Sequence, residues 1–103
     1  MLNITNPAGP FVLSYRGKPL DSFSPNGLPL KRGKYSATDI FQFSKNSYMT
    51  FNTIREADTY VTHIIHEIHG NAKRYFDACP ESYDKLLKIA YGLNIERPEA
   101  RSL

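Results

Sequence analysis

The chain has 103 residues, 41% of them apolar, with seven tyrosines and six phenylalanines. That is the length of one domain, with enough apolar matter for a core without metal or disulfide staples. A single cysteine, Cys79, excludes an intramolecular disulfide and points to a reducing, cytoplasmic home. No apolar run of about 18 residues is present to span a bilayer, and the first ten residues lack the basic start and apolar core of a signal peptide. The net charge of +3 is unevenly spread. Residues 1–52 carry six basic groups against two acidic ones, and residues 53–103 carry seven against eight. The excess positive charge therefore sits in the first half, where it favours a partner with an acidic surface.

Phe11 to Tyr15 alternates as a strand, with Phe11, Leu13 and Tyr15 on one face. Arg16-Gly17 supplies a tight turn, and Lys18 to Phe23 returns as a strand that Pro19 marks as an edge. Ser24-Pro25-Asn26-Gly27 is a turn signal, and Leu28 to Tyr35 reads as an exposed basic loop. Residues 36–51 fit two readings. Ile40-Phe41-Gln42-Phe43 suits a strand by propensity, while Ser36 with Asp39 resembles a helix cap. The expectation taken is strands near 39–44 and 48–51.

Thr53 and Glu56 have the spacing of a capping box. Behind them, Ile54, Ala57, Val61, Ile64, Ile65, Ile68, Ala72, Tyr75, Phe76 and Cys79 recur at helical period. At 100° per residue they lie within about 60° of Val61, a stripe that predicts one amphipathic helix over 54–79. Gly70 is the residue against continuity, but the stripe stays in phase across it. Pro80 and Glu81 suit the first turn of a second helix over 80–91. Its stripe is Tyr83, Leu86, Leu87, Ala90 and Tyr91, and Gly92 is its stop. The expected fold is thus α+β: a small antiparallel sheet, formed by a hairpin over 11–23 and two further strands, packed on the two helices. Residues 1–93 form the domain and 94–103 a mobile tail.

Chemistry-bearing residues are sparse. No serine lies in a Gly-x-Ser-x-Gly context, and no glycine loop has phosphate-binding or dinucleotide-binding spacing. Cys79 falls on the apolar stripe, where a thiol is inert. His63, His66 and His69 recur every three residues, and with Glu67 the first two are the candidate metal donors. The spacing departs from the zinc-helix pattern of two histidines four apart, and the rings spiral around the helix instead of converging. No cofactor or catalytic group is therefore assigned. Tyr75, Tyr83 and Tyr91 continue apolar stripes and read as core.

The candidate contact residues are Arg16 and Lys18 at the first turn, and Lys31, Arg32, Lys34 and Tyr35 in the basic loop. A glycine-turned hairpin followed by Thr-x-x-Glu-Ala opening an amphipathic helix resembles the layout of many small proteins of phages and mobile elements. The expectation is a small non-enzymatic protein that acts by protein–protein interaction, as an inhibitor or regulator of a host complex. The alternatives are a nucleic-acid-binding module using the loop 31–35, and a metal-binding protein through the histidine helix.

Overall fold

A computed structural model describes residues 9–24 and 36–98. The elements in chain order are β1 (Val12–Tyr15), β2 (Lys18–Phe23), α1 (Ala37–Ile40), β3 (Phe41–Phe43), α2 (Ile54–Gly70), α3 (Ala72–Ala78), α4 (Tyr83–Gly92) and β4 (Asn94–Glu96). The fold is α+β, with an antiparallel sheet of order β3-β2-β1-β4.

The hairpin forms as its sequence dictates. Tyr15 faces Lys18 across a two-residue turn in which Arg16 and Gly17 both have positive φ, 54° and 84°. That backbone follows the right-handed twist of the flanking strands. After the hairpin the expected strand at 39–44 is replaced by a helix and a shorter strand. The Ser36 N–H donates to the Asp39 carboxylate at 2.8 Å, and this cap holds the single turn α1. Phe41–Phe43 then pairs with β2. The cap thus wins the first half of the segment and β-propensity the second.

The expected strand at 48–51 is reduced to one bridge. Phe51 exchanges backbone hydrogen bonds with Phe11, at 2.8 and 2.9 Å. Met49 N–H donates to Leu20 O at 3.0 Å. Gly9 crosses the same segment so closely that an added Cβ would lie 2.8 Å from the Asn52 carbonyl oxygen and nearer still to that of Phe51. Only glycine permits that approach.

The Thr53 hydroxyl accepts from Glu56 N–H at 3.1 Å, and the Glu56 carboxylate accepts from Asn52 N–H at 3.0 Å. This cap starts α2 as its sequence predicts. The single helix over 54–79 is not formed, because it breaks at Asn71, where φ is −127° and ψ is 38°. Two local effects meet there. Gly70 is a poor helix former, and the Asn71 side chain donates to Glu67 O at 3.0 Å beside its own backbone N–H at 3.1 Å. The Tyr75 hydroxyl spans the break, donating to the Glu67 carboxylate at 2.9 Å. Tyr75 N–H still bonds Asn71 O at 3.1 Å, so the apolar phase survives the break.

The second helix begins at Tyr83 and not at Pro80, since residues 80–82 form a turn. Residues 94–96, expected in a mobile tail, are strand β4. Asn94, Ile95 and Glu96 pair with Ser14, Leu13 and Val12 of β1. A single core collects Leu13, Leu20, Phe23 and Phe41 from the sheet, Ala37 and Ile40 from α1, Ala57, Ile64 and Ile68 from α2, and Tyr75, Cys79, Leu86, Ile89 and Ala90. Burying each leucine, isoleucine or phenylalanine of this set contributes about 1.5–3 kcal/mol. Four stripe residues are exposed instead of core: Ile54, Ala72, Phe76 and Tyr91, with Phe76 52% and Tyr91 62% exposed.

Candidate partner-binding groove

The β1–β2 turn and α4 meet at one place. Gly92 ends α4 against the ring of Tyr15, where an added Cβ would come within 2.9 Å of that ring. The Phe43 ring packs on the same Tyr15 ring, 6.0 Å away centroid to centroid. The Arg16 guanidinium lies over the same ring at 5.6 Å, so a cation–π contact helps to hold the turn's cation near α4. Lys18 is the cross-strand partner of Tyr15 and shares its sheet face.

Between turn and helix lies an open groove of about 430 Å³, lined by Tyr15, Arg16, Glu81, Asp84, Lys85 and Lys88. The four α4-side residues are exposed. Asp84, Lys85 and Lys88 lie on the exposed side of α4, away from the side that carries Leu86, Ile89 and Ala90 into the core, and Glu81 joins them from the turn just before the helix. Three cations and two carboxylates thus line one depression, yet no salt bridge closes among these five groups in the described residues. The contrast is Lys73, whose ammonium is 2.9 Å from Asp77 one helical turn away.

Arg16 and Lys18 were named from the sequence, and the fold brings Arg16 into the groove. Lys31, Arg32, Lys34 and Tyr35 lie outside the described residues. The sequence marks none of Lys85, Lys88, Glu81 and Asp84 as a contact residue. Their signal was the charged face at helical spacing after Pro80, which by itself reads as ordinary solvation.

The histidine helix does not assemble a donor set. Among the described residues no group of three or more histidine, cysteine or acidic side chains is placed to hold a metal. The His63 ring packs on Tyr60 at 5.9 Å, His66 is exposed, and the Glu67 carboxylate accepts the Tyr75 hydroxyl. His69 is exposed as well, and its Nε2 shares a 2.7 Å hydrogen bond with Tyr91 Oη, which joins the ends of α2 and α4. Cys79 is fully buried. Burial, and then the Asp39 carboxylate, push its thiol above the ordinary cysteine range, so little nucleophilic thiolate forms. Among the described residues no helix is long and apolar enough to cross a membrane.

No known family, curated protein or solved structure matches the chain. The class that stands is a small α+β domain with a charged groove between a hairpin turn and its last helix.

Proposed function

We propose that the protein is a non-enzymatic binding module that docks an acidic segment of a larger protein complex in the groove between the β1–β2 turn and α4. The observation that carries the reading is the set of charges converging there with no salt bridge among the described residues: Arg16, Lys85 and Lys88 around Glu81 and Asp84. Charges that satisfied one another would close an ion pair, as Lys73 and Asp77 do at 2.9 Å. Lys18 beside the groove adds to its positive excess. Such charge sets on-rate and specificity in protein association.

The backbone at the turn supports the same reading. Arginine in a left-handed conformation costs about 1–2 kcal/mol, and asparagine or glycine would hold this turn better. An arginine at φ 54° there fits a role for its guanidinium beyond folding. The inert thiol and the scattered histidines offer no nucleophile paired with a base, which supports a binding role over a catalytic one.

The test is capture from a lysate of the source cell, followed by mass spectrometry, with wild type and two groove variants. A stoichiometric protein should be retained by wild type and lost with Lys85→Glu/Lys88→Glu. Glu81→Lys/Asp84→Lys should retain it at least as well. Retention of DNA or RNA that falls with salt, in place of a protein, defeats the reading.

A further inference from the structure

We infer that the outer face of α4, together with Glu81 in the turn just before it, is self-complementary and pairs two copies of this chain, antiparallel, about a two-fold axis. The observation is the order of charge along that face. Glu81 and Asp84 come first, then Lys85 and Lys88. An axis passing between residues 84 and 85 sets Glu81 opposite Lys88 of the second copy and Asp84 opposite its Lys85. A two-fold contact repeats each pair, since every patch meets its own copy. All four charges on each side are then matched. Parallel pairing sets like against like, so the charge order selects one orientation.

The groups this pairing needs are accessible. All four side chains are exposed, and among the described residues no salt bridge joins them. Tyr91, 62% exposed and three residues beyond Lys88, extends the same face with an aromatic surface that a second copy would cover. Arg16, across the groove, adds a cation near the contact. Exposed ion pairs are individually weak, so the dimer forms at low salt and high protein concentration. It separates near 1 M salt, where the screening length falls to about 3 Å. Pairing covers the groove, and an acidic partner must displace the second copy to enter.

The pairing rests on the charge order and fails separately from the partner reading. Lys85→Glu/Lys88→Glu abolishes both, whereas Glu81→Lys/Asp84→Lys abolishes pairing and spares partner capture. Sedimentation velocity of the full chain decides the question, with circular dichroism confirming that each variant is folded. Wild type should sediment as a salt-sensitive dimer, and each double variant as a monomer. An equal mixture of the two double variants should dimerise again, as should the fourfold swap Glu81→Lys/Asp84→Lys/Lys85→Glu/Lys88→Glu. A wild type that stays monomeric at low salt overturns the inference. So does a dimer that survives either double variant, or a fourfold swap that fails to restore pairing.

Discussion

Replacing Arg16 by asparagine separates folding from function at the turn. Arg16 has φ 54° and Gly17 has φ 84°, the pair of positive values that a two-residue hairpin turn requires. Holding an ordinary residue there costs about 1–2 kcal/mol, most of which asparagine recovers through its local hydrogen bonding. The substitution also removes the guanidinium from the Tyr15 ring, a contact worth about 0.5–1 kcal/mol at an exposed site. The balance favours Arg16→Asn by about 0.5–1 kcal/mol. For a domain of this size that is a rise in Tm of roughly 2–8 °C. Urea titration and thermal melting followed by circular dichroism measure it. Partner capture should fall with the same variant, since a groove cation is gone. A variant that is less stable than wild type by 1 kcal/mol or more would falsify the view that Arg16 is strained.

Three further outcomes follow from the geometry. Tyr75→Phe removes the hydrogen bond to Glu67 across the helix break and should cost about 1.5 kcal/mol at neutral pH, read by urea denaturation. The same variant tests a linkage: burial first, then the Glu67 hydrogen bond and charge, raise the Tyr75 hydroxyl far above its ordinary 10.0. The folded chain keeps that proton while the unfolded chain releases it. The stabilisation is therefore full below about pH 10 and falls by about 1.4 kcal/mol per unit above it. Tyr75→Phe should flatten the alkaline decline, leaving a smaller slope from Tyr60 and Cys79, both also raised by burial; an unchanged slope contradicts the linkage. Two glycines should part company in thermal melts: Gly9→Ala loses about 1–3 kcal/mol by forcing a Cβ into the carbonyls of Phe51 and Asn52, whereas Gly70→Ala, with nothing within 4 Å, gains about 0.5–1 kcal/mol.

What the sequence disclosed depended on whether the signal was local. The Thr53–Glu56 cap, the Arg16-Gly17 turn and the apolar face of α2 are short-range features, and each was legible. The break at Asn71 was hidden because the backbone bonds from Asn71 to Glu67 and from Tyr75 to Asn71 keep the two helices in phase. Periodicity cannot report a kink that preserves phase. β4 was hidden for the opposite reason. Asn94-Ile95-Glu96 has one apolar residue and is a strand only because β1 offers it an edge. Tyr91 misled as a stripe member, since its hydroxyl is held outward by His69. Of the contact residues that the sequence suggests, Arg16 lines the groove and Lys18 stands beside it. Glu81, Asp84, Lys85 and Lys88 acquire meaning only once the fold sets α4 beside the hairpin turn.

The most direct test of the groove is the affinity of the captured partner, by calorimetric titration, for two variants of equal net charge. Lys85→Glu/Lys88→Glu reverses charge inside the groove. Lys45→Glu/Arg55→Glu reverses the same number of exposed charges outside it. The account predicts a loss of about tenfold or more for the first, the scale of a 1.4 kcal/mol deficit, and near wild-type binding for the second. Equal losses would show that only net charge matters, and an undiminished affinity of the first variant would place the contact elsewhere on the molecule.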